Sequence, residues 1–307
     1  MKKIIMAVIF GSMVFNLTAA EQINENASQV FAFMNIGAGA RANAMAGAFT
    51  AVSGDASLIA WNPAGLALVK EPQSSVTYSR IFVDTNYQYL LGAFPMTAGT
   101  AAFNIAYLDY GSFELRDING ALQTGNATAY NLEFSGAYAM KLTDSFYAGA
   151  AIKYANQEVD ASSISGFAVD FGLQAGIGPV TTGLCVQNAG TAGSYSTPAR
   201  IKAGVAGNIN AAEKNDLLLA ADFDYLLQGS AGVDIGAEYS YSQTIFLRGG
   251  YIFNSNGTGS GTPCAGAGIK YGGISLDYSA EFYPELGTTN NISLSYSFGR
   301  AGEKKQP

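Results

Sequence analysis

Histidine is absent from all 307 residues, which removes any His-dependent triad and the commonest metal ligand. Cysteine is nearly absent: Cys185 and Cys264 could form at most one disulfide, and their spacing suggests no metal site. Basic residues are scarce as well, 16 Lys and Arg against 23 Asp and Glu, and a net charge of −7 argues against a nucleic-acid partner, whose phosphates need cations. The carboxylates are scattered singly, with no recognisable glycosidase pair. The expectation is a protein that is not an enzyme and holds no metal or cofactor. Charged residues make up only 13% of the chain, about half the usual share of a soluble domain. Beyond the N-terminus no apolar run reaches the roughly 20 residues of a membrane-spanning helix.

What is present points elsewhere. The chain opens "MKKIIMAVIFGSMVFNLTAA", two lysines ahead of a short apolar run and small residues, which predicts a signal peptide over 1–20 cut after Ala20. The remainder is rich in Gly and apolar residues, with 18 Tyr and 18 Phe. An exported, apolar, aromatic chain without a spanning helix predicts an all-β, transmembrane antiparallel β-barrel in the outer membrane of a diderm bacterium, in contact with its lipids.

From Ser74 onward the sequence alternates with period two. "NISLSYSF" sets Ile292, Leu294, Tyr296 and Phe298 on one face and three serines on the other. "ISLDYSAEFY" and "DLLLAADFDYLL" behave similarly, with Asp222, Asp224, Asp277 and Glu281 on the polar face. A soluble barrel would cover its outside with Lys and Glu; here the polar face holds Gly, Ser, Ala and isolated charges, as suits a crowded interior. Segmentation at turn residues gives about fourteen strands of roughly 9 to 11 residues or slightly more, the first near 74–83 and the last near 289–298. Connections after odd strands tend to be long ("GSFELRDINGALQTGNA", "NAGTAGSYSTP", "NSNGTGSGTP") and those after even strands short ("MT", "TDS", "GP"), apart from "NAAEKN". Outer-membrane barrels have this asymmetry, with short periplasmic turns. Four units follow: the signal peptide 1–20, an N-terminal hatch or plug 21–73, the barrel 74–298 and a polar tail 299–307.

The unit before the barrel contains "GAGARANAMAGAFTAVSGDASLIAWNPAGLALV", Gly37 to Val69. Gly37, Gly39 and Ala42 fit a loose dinucleotide fingerprint, but neither a convincing strand before it nor a βαβ unit after it is present. A barrel of about fourteen strands is too wide to fill with its own side chains, so a compact small-residue segment in the lumen is expected. Ala42 to Val52 reads as a short helix, and Asn62-Pro63 as the cap and first residue of another reaching about Val69. The segment resembles the N-terminal signature of the FadL-like outer-membrane proteins, through Gly39 to Arg41, Met45 with Gly47, Asp55, and Asn62, Pro63 and Gly65. The short length, "GFAVDFGL" (Gly166 to Leu173) and "VQNAG" (Val186 to Gly190) resemble its PorV/PorQ branch. The resemblance implies a hatch inside the barrel. For function it implies either protein secretion or surface delivery, with exported proteins or a translocon as partner, or else passive uptake of a small hydrophobic ligand.

Candidate site residues fall into two groups. The hatch motif comprises Gly39, Arg41, Met45, Gly47, Asp55, Asn62, Pro63 and Gly65. Arg41 is expected either to pair with an inward carboxylate (Asp170, Asp222, Asp234 or Glu238) or to reach periplasmic water; Asp55 and Asn62 are expected to cap helices. The candidate lumen polar residues are Glu133, Lys153, Asp170, Lys202, Asp222, Asp234, Arg248 and Asp277, read as salt bridges stiffening a filled barrel or as a polar path. Tyr78, Tyr107, Tyr154 and Tyr251 near strand ends read as interfacial girdles.

Overall fold

The structure, a computed structural model, describes residues 30–82, 85–117, 119–227, 229–254 and 261–299. The signal peptide expected over 1–20 and all of the tail after Gly299 lie outside the described residues.

The strands are β1 (Gln73–Arg80), β2 (Asn86–Met96), β3 (Gly99–Arg116), β4 (Leu122–Lys141), β5 (Phe146–Val159), β6 (Ser162–Ile177), β7 (Val180–Ala192), β8 (Tyr195–Ser196), β9 (Arg200–Ala212), β10 (Asn215–Leu226), β11 (Ser230–Tyr241), β12 (Ile245–Asn254), β13 (Thr262–Tyr271), β14 (Ile274–Tyr283) and β15 (Gly287–Ser297). Every pairing is between antiparallel neighbours, and β8 is a two-residue flap on β7. Setting β8 aside, the strands form a closed barrel of 14. Closure is made by β1 against β15, from Gln73 opposite Ser297 to Arg80 opposite Asn290. Among the described strands no backbone edge is left to face hydrocarbon, the condition a membrane imposes on a sheet.

The period-two pattern separates the faces. Val76, Ile152, Phe167, Leu247, Ile292 and Leu294 point outward and are exposed, whereas Ser79, Asp170, Lys202, Ser279 and Ser293 on the opposite face are buried. An apolar exterior around a polar interior is the reverse of a soluble barrel and suits lipid outside. Among the described residues no helix is long and apolar enough to cross a membrane.

The connection expected as a long loop after β3 is instead mostly strand. β3 and β4 run on as a hairpin from Ser112 paired with Thr128 to Arg116 paired with Leu122, with register shifts at Asp109/Ser112 and Glu114/Arg116. Asp117 closes the tip, its Oδ1 accepting from the amides of Asn119 and Ala121. The Thr, Asn and Gly residues there look like loop composition, yet two-stranded pairing is already set by the wall below and continues outward.

The described residues ahead of β1, 30–72, lie within the barrel. They carry one turn of α-helix, α1 (Ala40–Ala44), and three 3-10 helices, Ala32–Asn35, Ala56–Ala60 and Pro63–Leu68. A continuous helix over Ala42 to Val52 does not form. The cause is local and tertiary: Ala46 (φ 59) and Gly47 (φ 71) turn left-handed and end α1, and the amides of Phe49 and Thr50 donate to Asp222 of β10 at 3.0 and 2.9 Å. Pro63–Leu68 starts and stops as the Asn-Pro signal indicates, with the Asn62 side chain accepting from the amide of Ala64.

Candidate functional site

The hatch crosses the lumen because wall and hatch are cut to fit. Inward positions of six strands are glycines, and atoms of the hatch, mostly backbone, occupy the space their side chains would take. A Cβ on Gly149 would collide with the carbonyl carbon of Pro63, one on Gly183 with the Thr50 oxygen, and one on Gly236 with the Met45 oxygen. Gly172, Gly250 and Gly266 face Asn62, Met45 and Ala44 as closely. Interiors packed this tightly leave no room for added methyl groups. On the hatch side Gly47 lies against the Trp61 ring, and the Trp61 indole donates to the Ala38 carbonyl at 3.0 Å.

Polar side chains of the wall hydrogen-bond to hatch backbone. The Gln174 amide donates to the carbonyls of Thr50 and Val52 at 2.9 and 2.7 Å, and its oxygen accepts from the Ser53 hydroxyl at 2.9 Å. Gln187 donates to the carbonyls of Ala60 and Trp61 at 2.8 and 2.7 Å. Ser293 accepts from the Ala40 amide at the start of α1 at 2.8 Å. Buried backbone groups must be paired, so these contacts hold the hatch by obligation rather than by adhesion alone.

The charges form two networks. In the first, Arg41 makes a two-pronged pair with Glu238, Nε to Oε2 at 2.8 Å and Nη2 to Oε1 at 2.7 Å, and reaches Asp55 at 2.9 Å. Glu238 also accepts from Arg248 at 2.6 Å, and Arg248 donates to Asp277 at 2.6 Å. Of the alternatives for Arg41, pairing with a wall carboxylate is the one found, and Glu238 is the partner. Burial alone would lower the affinity of Arg41 for its proton, but Glu238 and Asp55 more than reverse this. Burial would raise Asp55, and Arg41 together with the Ser57 hydroxyl and amide holds it below its ordinary value. Asp55 accepts from the Ser57 amide at 2.9 Å and so caps the helix Ala56–Ala60.

In the second network Lys202 extends beneath the hatch, 3.2 Å from Asp234, 3.7 Å from Asp222 and 3.9 Å from Asp224, and donates to the Gly47 carbonyl at 3.2 Å. Beside it Lys153 pairs with Asp170 at 2.8 Å and donates to Asn188 at 2.7 Å. Asn188 sits left-handed (φ 55) where β7 skips register against β6, and its amide donates to Asp170 at 2.7 Å. "GFAVDFGL" and "VQNAG" therefore meet at a bulge that delivers Gln187 to the hatch.

All eight candidate lumen residues are buried and inward. Seven join these ion networks; Glu133 is instead hydrogen-bonded to Ser135 at 2.7 Å and Asn104 at 3.4 Å. Gly39 precedes α1 with φ 91, and Gly65 faces Leu58, Val52 and Gln174. Neither Gln174 nor Gln187 is among the site residues expected from the sequence, although Gln187 lies within "VQNAG". Their signal would have been an uncharged amide at an inward strand position beside glycine. Cys185 and Cys264 are both free and buried, and among the described residues no cluster is placed to hold a metal ion.

A cavity lies on each side of the hatch. The one toward the long connections has about 390 Å³ and is lined by Trp61, Phe82, Arg200, Lys202, Asp224 and Glu281 among others. The one toward the short turns has about 210 Å³, with Arg41, Asp55 and serines of β1, β14 and β15 in its wall.

The barrel fold is shared with known structures. The toluene transporter TbuX of Ralstonia pickettii superposes with TM-score 0.64 at 14% identity, over 88% of this chain and 100% of that one. The toluene transporter TodX of Pseudomonas putida gives 0.62 at 13%, over 85% and 98%. A Pseudomonas aeruginosa FadL homologue gives 0.55 at 11%, over 85% and 98%. Among curated proteins no sequence matches. The lipid-facing exterior and FadL-like fold make this an outer-membrane β-barrel. Residues 19–243 match the family described as type IX secretion system protein PorV, and the chain belongs to that family.

Proposed function

We propose that this protein serves protein secretion or surface delivery as a closed barrel, which docks exported cargo or a translocon instead of conducting a solute. The observation that carries the reading is the locked hatch. It is keyed into wall glycines and held by Gln174, Gln187, Asp222 and the Arg41–Glu238 pair. A conduit would need to release many buried polar contacts at once, each costly to leave unpaired. Family membership supports the same reading. No residue of the chain is assigned a catalytic role.

The rival reading, passive uptake of small hydrophobic compounds, draws on the shared fold with toluene transporters. Against it, charged groups enter both lumen cavities, Lys202, Asp224 and Glu281 on one side and Arg41, Asp55 and Asp277 on the other, unlike the few polar groups of a site that suits an apolar ligand. Gene deletion separates the readings. Loss of proteins from the cell surface and medium, with uptake of labelled toluene unchanged, is expected. Unchanged secretion with reduced toluene uptake would overturn the proposal.

A further inference from the structure

We propose that the larger cavity, on the side of the long connections, binds a small aromatic amine, its ammonium paired with Glu281. The inference does not rest on the secretion reading. Three carboxylates line this cavity, Asp224, Asp234 and Glu281, against two cations, Arg200 and Lys202. Both cations are already engaged, Arg200 with Asp224 at 2.6 Å and Lys202 with Asp234 at 3.2 Å. Glu281 makes no ion pair among the described residues. Its Oε2 accepts from the Tyr283 hydroxyl at 2.9 Å and its Oε1 from the Asn291 amide at 3.0 Å. These two donors fix the carboxylate in place while leaving each oxygen a further acceptor site.

A partly buried carboxylate without a counter-ion is costly, and this one opens onto 390 Å³ of space. Aromatic rings share the cavity with it. Phe82 and Tyr283 meet edge to face with ring centroids 5.1 Å apart, and both line the cavity. Trp61 and Ile252 border the same space. An ammonium is attracted both to the carboxylate and to ring faces, and an aromatic body would fill the apolar part. A neutral hydrocarbon would leave Glu281 desolvated and unpaired, so it should be excluded. An anion would meet the excess negative charge.

The test is calorimetric titration of the full chain, purified from outer membranes in non-ionic detergent at neutral pH, with 2-phenylethylammonium, its neutral counterpart 2-phenylethanol, and toluene. The ammonium is expected to bind at least about tenfold more tightly than the alcohol, with toluene weaker still. Glu281→Gln should reduce ammonium affinity to that of the alcohol and leave alcohol binding unchanged. Phe82→Ala, which lies outside the strands, should weaken phenylethylammonium several-fold while the barrel keeps its heat-modifiable gel mobility. Equal binding of ammonium and alcohol, no ammonium binding, full affinity in Glu281→Gln, or full affinity in a folded Phe82→Ala would each overturn the proposal.

Discussion

At the scale of single residues, the account turns on charges that cannot be removed one at a time. Arg248 serves both Glu238 and Asp277, and its side chain is 2% exposed. Arg248→Met would strand Asp277 in the lumen and leave Glu238 with Arg41 alone. Breaking a buried pair from one side typically costs about 3 to 5 kcal/mol, so urea unfolding of the variant in lipid vesicles should show a loss of that order. Asp55 allows a prediction about pH. Its folded pKa lies below the ordinary 3.8, with Arg41 outweighing burial. Its stabilising contribution is therefore complete above 3.8, the value for the unfolded chain, and is lost as pH falls through the lower folded value. Asp55→Asn should remove this acid-sensitive component of hatch stability, seen by hydrogen exchange of the Ala56–Ala60 amides between pH 5 and 2, and leave the barrel strands unaffected.

Elements differ in how plainly the sequence declares them. Strand positions and faces are legible because a wall between lipid and a polar lumen forces period-two alternation in nearly every strand. The last strand shows it in full, with Ile292 and Leu294 outward and Ser293 buried inside. The Asn62-Pro63 start is legible because capping is a local interaction between Asn62 and the Ala64 amide. The interior of the hatch is not legible. Ala and Gly over 42–52 carry little directional information, and the conformation there is dictated by Asp222, 172 residues from Thr50. Likewise the choice of Glu238 by Arg41 spans 197 residues and depends on the closed barrel's register. The wall glycines had no individual signature, since a glycine in a strand is as easily a weak point as a seat. Their role is testable. Gly183→Val would collide with the Thr50 carbonyl, and overpacking of this kind costs roughly 1 to 3 kcal/mol. The hatch should lose protection in limited proteolysis while the barrel remains protected.

For the molecule as a whole, the central claim is that a wall of 14 strands, too wide to fill itself, is sealed by its own N-terminal segment, with a cavity on each side of it instead of one channel. Planar-bilayer recording tests this most directly. The full chain should insert without conductance steps, whereas a variant lacking residues 37 to 69, verified as a folded barrel by heat-modifiable gel mobility, should give stable open-channel steps. Conductance through the full chain, or a folded deletion variant that is equally closed, would contradict the account.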